Sequence, residues 1–126
     1  MDEMSDATSY FLRGVKEFRS AESLIALGRK SEALDRCRLS FTYLAKTYLL
    51  LSKKSLIGVS NPHYLASILH DLGYEEIFKL VSLAEIVSSE DTDNAVRLYV
   101  KACQELLGLI RSKDPYLDIN KKTYLF

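Results

Sequence analysis

The stretch Ser31-Glu32-Ala33-Leu34-Asp35-Arg36-Cys37-Arg38-Leu39-Ser40-Phe41-Thr42-Tyr43-Leu44-Ala45-Lys46-Thr47-Tyr48-Leu49-Leu50-Leu51 decides the fold. Within it Leu34, Cys37, Phe41, Leu44, Tyr48 and Leu51 follow one another at alternating steps of three and four residues. Alternation of this kind puts every one of these side chains on one seam of an α-helix. Ala45 and Leu49 lie beside the seam and widen the apolar stripe, so the helix is expected to touch more than one neighbour. Lys53 and Lys54 are expected at its C-terminus, where positive charge opposes the helix dipole.

Toward the N-terminus, Gly28 reads as the left-handed residue that ends a helix, and Ser31 reads as the cap of the next. Before Gly28, from Thr8 to Leu27, Phe11, Val15, Phe18, Ala21 and Ile25 again keep helical spacing. The link between the two helices is short, which predicts an antiparallel hairpin.

Toward the C-terminus, a link from Ser55 to Ser60 contains Gly58. Asn61-Pro62 follows as cap and first helical residue, because proline lacks an N–H that would go unpaired there. A short helix with Leu65, Ile68, Leu69 and Leu72 inward should end at Gly73. Another, from Tyr74 to Ser88, carries Ile77, Leu80, Val81, Ala84 and Val87 on one face. After the polar break at 88–92 a last helix starts near Asp93, with Thr92 or Asp93 as cap. Val96, Tyr99, Cys103, Leu106 and Ile110 form its seam, and Asp114-Pro115 stops it. The tail from Tyr116 to Phe126 is apolar enough to lie on the bundle or on a partner.

No alternation of period two competes with this pattern. The expected fold is all-α: an up-down bundle of about five helices, two long, two shorter and a long closing one. It forms a single domain over 1–126, with its core at about 8–113 and a tail at 114–126. The first hairpin looks like one tetratricopeptide unit, but no 34-residue repeat follows it.

Apolar residues make up 48% of the 126, and Gly and Pro number only five and two, which excludes collagen-like and disordered classes. Lysine plus arginine equals aspartate plus glutamate at 17 each, which disfavours a strongly basic nucleic-acid binder. Cys37 and Cys103 are too few for a disulfide framework and fall in apolar stretches, as buried free thiols do. The acidic start, Met1-Asp2-Glu3-Met4-Ser5-Asp6, is unlike a signal peptide, and the densest apolar run, 48–51, is too short to cross a membrane. A cytoplasmic protein without cofactor or metal is expected.

The order of elements carries a resemblance. Ala21-Glu22 precedes a glycine turn; Ala33, Arg38, Phe41, Tyr43 and Ala45-Lys46 follow on the second helix; then come the Asn61-Pro62-His63 break and a closing helix with Ala95 and Ala102. This layout, over about 8–113, resembles the HEPN domains (higher eukaryotes and prokaryotes nucleotide-binding), above all the small stand-alone prokaryotic members. In members that cleave RNA, an Arg in the closing helix is followed by a His with four to six residues between them. Here Arg97 is present, but Ala102, Cys103 and Gln104 stand at the candidate places, and no Arg precedes His63 or His70 at that spacing. The resemblance therefore implies a non-catalytic binding module rather than a ribonuclease. Such a module binds nucleotides or pairs with a minimal nucleotidyltransferase, as in toxin–antitoxin systems. It also implies a homodimer through the long helices, with Arg97 near the two-fold axis. The alternatives are a structural helical adaptor without nucleotide and a degenerate ribonuclease.

Read for chemistry, Arg97 and Lys101 are one helical turn apart, away from the seam, and form the candidate anion site. His63 and His70 lie two turns apart, too far to share a metal ion. Arg29, Lys30, Arg36 and Arg38 cluster at the hairpin, but Glu32 and Asp35 dilute their field. The tyrosines, Tyr43, Tyr48 and Tyr99 among them, read as packing residues. Leu49, Leu50, Leu98, Leu107 and the ending Tyr124-Leu125-Phe126 appear as apolar surplus, which argues for association.

Overall fold

Helix α1 (Glu3–Ala26) and helix α2 (Lys30–Leu51) are joined by only three residues. The computed structural model describes residues 3–54 and 61–120, and the remaining helices are α3 (Pro62–Asp71), α4 (Glu75–Val87) and α5 (Thr92–Lys113). The chain is an all-α bundle, with no strand among the described residues. The 55–60 link and residues 121–126, including the Tyr124-Leu125-Phe126 ending, lie outside them.

Helix α1 starts five residues earlier than Thr8. Residues 3–7 contain no helix breaker, and Ala7 extends the inward face by one turn before Phe11. At the other end Gly28 adopts φ 77°, its N–H donates to the Ile25 carbonyl, and the Arg29 N–H donates to that of Leu24. That pair of bonds is a Schellman closure. It leaves no room for a separate cap at Ser31. Arg29 itself is the N-cap, without a side-chain bond, and Ser31 falls inside the first turn of α2. The same closure ends α3 at Gly73 (φ 101°), and it ends α2 at Lys53 (φ 60°). Lys53 and Lys54 thus lie just past α2 rather than in its last turn.

Helix α2 is the central element and packs on α1, α3 and α5. Leu34, Cys37, Phe41, Leu44 and Tyr48 are buried, and Leu51 is half-buried where the helix runs out. Against α1, the Ser40 hydroxyl donates to the Gly14 carbonyl at 2.8 Å. A Cβ on Gly14 would sit 2.7 Å from Leu44 Cδ2, so glycine is what lets the two helices approach this closely. On the outer side of the same hairpin, Tyr43 is only half-buried and stacks on Tyr10, with centroids 6.2 Å apart.

The α2 and α5 seams meet where Phe41 packs edge-on against Tyr99 at 6.1 Å. Val96, Tyr99, Cys103, Leu106 and Ile110 are all buried. Helix α4 covers α5, and α3 bridges α4 and α2. Two caps follow the residues, one of them displaced. Asn61 Oδ1 accepts the N–H groups of His63 and Tyr64, at 2.8 and 3.2 Å. Asp91, not Thr92 or Asp93, caps α5, its Oδ1 accepting the Asn94 N–H at 3.0 Å. Asp91 has the non-helical backbone of a cap, at φ −142° and ψ 80°, whereas Thr92 and Asp93 are already helical.

Several apolar positions fall differently from their sequence reading. Leu72 is 38% exposed, because it follows the end of α3 instead of continuing its inner face. Leu49 and Leu107 are buried within the bundle, and Leu50 and Leu98 are half-buried. The surplus inferred from these four residues is therefore largely taken up by the monomer's own core. Exposed apolar side chains lie elsewhere, notably Leu83 and Ile86 on α4. Past α5, Leu117 is buried and Ile119 packs on the core, so the described part of the tail lies on the bundle, while Tyr116 faces solvent. No helix among the described residues is long and apolar enough to cross a membrane.

Candidate functional site

Two clefts of the bundle hold residues singled out in the sequence. The first lies between the α1–α2 turn and the start of α5 and has a volume of about 560 Å³. Lys30 from the first turn of α2 and Arg97 from α5 line it together, and Arg97 Nη2 donates to Asn94 Oδ1. Ile25, Val96 and Val100 supply the apolar part of its wall, and Asp91 and Asp93 stand at its edge. Neither Lys30 nor Arg97 has an ion-pair partner among the described residues. Arg97 thus shares this cleft with Lys30, while Lys101 remains its neighbour one turn along the same helix. Lys101 is exposed and does not line this cleft, because the one-turn spacing fixes only that the two side chains share a helix face.

The hairpin cluster resolves into separate pairs. Arg29 chelates Glu32 through two bonds of 2.8 and 2.7 Å, and Arg36 reaches Glu17 on α1 at 3.0 Å. Arg38 turns the other way, to α4, and belongs to the second cleft.

That second cleft, of about 570 Å³, opens between α2, the start of α3 and α4. Arg38 grips Glu85 by two parallel bonds, Nε to Oε2 at 2.9 Å and Nη2 to Oε1 at 2.8 Å. The buried Tyr99 hydroxyl donates to the same carboxylate. Asp35 stands 3.5 Å from Arg38 Nη1. Across the cleft His63 Nε2 lies 3.2 Å from Ser82 Oγ, and the His63 ring rests on Phe78 at 5.5 Å.

Electrostatics in this network follow from the bonds. The Arg38 hydrogen bonds hold the Glu85 carboxyl below the usual carboxylate range against the opposing effect of partial burial, and the Tyr99 bond adds to them. The bond to Glu85 likewise raises Arg38. Tyr99 is pushed well above the ordinary tyrosine value, first by burial and then by its bond to the carboxylate. Glu85 is thus an anion that accepts three donors at once.

His70 packs on Phe78 at 5.0 Å and lies 3.6 Å from Asp71. The two histidines flank one phenylalanine and do not converge, and no cluster of three metal-ligating side chains occurs among the described residues. The thiols are sealed in the core: burial pushes Cys37 up to about 12 and Cys103 higher still. Such thiols carry almost no thiolate at neutral pH and are packing residues.

The sequence reading missed Ser82, Glu85 and Asn94, and it gave Tyr99 a packing role without the bond of its hydroxyl to Glu85. The one signal available for Glu85 was a charge directly beside the inward face of α4, next to Ala84. No family model, curated protein or solved structure matches the chain.

Proposed function

We propose that this chain is a non-catalytic, HEPN-like helical binding module that takes a mononucleotide in the Lys30–Arg97 cleft. The observation that carries the reading is that two cations without an ion-pair partner among the described residues share an apolar-walled cleft of about 560 Å³. Apolar surface suits a base, and lysine and arginine suit a phosphate. The N-cap of α2, Arg29, makes no side-chain capping bond, and Lys30 stands in the first turn of that helix, the end whose dipole favours an anion. Asp91 and Asp93 oppose a polyphosphate, so one phosphate fits this edge better than three.

Titration calorimetry with a nucleoside monophosphate and the matching nucleoside tests this. The monophosphate should bind more tightly, and Arg97→Ala should weaken it at least about tenfold, the usual scale for one charge-assisted contact. Absence of binding at millimolar ligand overturns the reading. Under the same proposal the purified protein does not cleave RNA, since no histidine follows Arg97 with four to six residues between.

Association with a second copy, or with a minimal nucleotidyltransferase as in toxin–antitoxin pairs, belongs to the same proposal. Light scattering should give about twice the 14.3 kDa chain mass, alone or with the partner's mass added. A constant single-chain mass with no captured partner removes this part. The adaptor reading has one observation in its favour, the exposed Leu83 and Ile86, one turn apart on α4. It predicts partner binding that Arg97→Ala leaves intact.

A further inference from the structure

The second cleft has a property that its residue types conceal. It contains a carboxylate, yet what it offers a ligand is mostly hydrogen-bond donors. Glu85 already accepts from Arg38 Nε, Arg38 Nη2 and the Tyr99 hydroxyl. With its charge matched by the guanidinium and its oxygens occupied, Glu85 acts as the clamp that holds Arg38 flat against the wall.

The groups left over are donors. Arg38 Nη1 makes no bond to Glu85; it forms an ion pair at 3.5 Å with Asp35, whose side chain is 73% exposed, but donates no hydrogen bond among the described residues. Asn61 commits its Oδ1 to the start of α3, which leaves its amide N–H groups without a partner among the described residues. His63 Nε2, when it carries the ring proton, donates to Ser82 Oγ, and the Ser82 hydroxyl is then free to donate in its turn. Beside these donors stand two apolar groups, Pro62 and the 73%-exposed Ile86.

From this arrangement we infer that the cleft is a binding site for a phosphate monoester of a small apolar alcohol. Arg38, Ser82 and Asn61 serve the phosphoryl oxygens, and Pro62 and Ile86 cover the organic part. Three donors, from α2, α4 and the cap of α3, match a tetrahedral head with three terminal oxygens better than a planar carboxylate with two. The site is separate from the Lys30–Arg97 cleft, shares no residue with it, and does not depend on the mononucleotide reading.

The test is a titration of the ¹⁵N-labelled full chain with phenyl phosphate, followed by two-dimensional NMR, with phenol and benzoate as parallel probes. The expected result is saturable shifts centred on residues 61–63 and 82–86, with phenyl phosphate about fivefold or more tighter than benzoate, and no saturation with phenol. Asn61→Asp keeps the cap, because aspartate accepts the same N–H groups, but replaces the donors by a negative charge. It should weaken phenyl phosphate about tenfold or more, and Ser82→Ala about fivefold, with unchanged circular dichroism. Arg97→Ala should leave the affinity unchanged, which separates this site from the first cleft. Phenol binding as tightly as phenyl phosphate, shifts centred on Lys30 and Arg97, benzoate equal to the phosphate, or indifference to both Asn61→Asp and Ser82→Ala would each overturn the inference.

Discussion

Replacing Tyr99 by phenylalanine removes one oxygen atom and leaves the ring against Phe41, so it isolates the bond to Glu85. A hydrogen bond to a charged group contributes about 1.5–3 kcal/mol. The Glu85 side chain is 30% exposed and water competes for it, which places Tyr99→Phe near the lower end, at about 1.5 kcal/mol. Phenylalanine strands nothing, since Glu85 keeps both bonds from Arg38. Glu85→Ala is costlier, about 2–3 kcal/mol, because it leaves the buried Tyr99 hydroxyl without its acceptor and frees the Arg38 guanidinium. In the double variant the hydroxyl is already gone, so that part of the penalty disappears. The two losses should therefore fall short of additivity by about 1 kcal/mol. Urea unfolding of the four proteins at pH 7, followed by circular dichroism with unchanged m-values, measures this coupling. A coupling below about 0.3 kcal/mol, the usual additivity error, would refute the reasoning and make Tyr99 a packing residue only.

The same network predicts a pH profile. Glu85 titrates below its unfolded value, so its contribution is present above the ordinary carboxylate range and is lost as pH falls through the folded value; Tyr99 titrates above its unfolded value, so its contribution is present below about pH 10 and is lost as pH rises further. Unfolding midpoints from pH 7 down to 3.5 should fall more steeply for the natural chain than for Glu85→Gln, and parallel curves would contradict this. Gly14→Ala sets a helix-propensity gain of about 0.5–1 kcal/mol against an overpacking cost of about 1–3 kcal/mol at Leu44. The clash with a fully buried side chain should win, giving a net loss of about 1 kcal/mol by chemical denaturation, and a net gain would show that Leu44 moves aside. Lys53→Gly should stabilise by about 1 kcal/mol, because lysine holds a left-handed backbone that glycine adopts without strain, and a destabilised variant would mean that the α2 end is built differently.

The helices were legible in the residues because their signals are local. Seam spacing at Leu34–Leu51 and Val96–Ile110, the glycines at 28 and 73, and Asn61-Pro62 each act within one or two turns, and tertiary packing left them in place. Local signals failed where two competed over one turn. Ser31 lost its capping place to a closure that used the Arg29 N–H, and Asp91 won over two polar neighbours equally able to cap. Lys53 took a conformation that its residue type does not advertise. The clefts were not legible, and the reason is again physical. Arg38 meets Glu85 across 47 residues and His63 meets Ser82 across 19, contacts set by how α2, α3 and α4 are rotated about their axes. A periodic pattern specifies which face of a helix is buried, but not which exposed cation at the edge of that face will meet a neighbour. Sequence alone thus determined the five helices and most of their inward faces, while the shared cleft of Arg97 and Lys30, the exposure of Leu72, the burial of Leu107, and the Arg38–Glu85–Tyr99 network were decided only when those faces packed together.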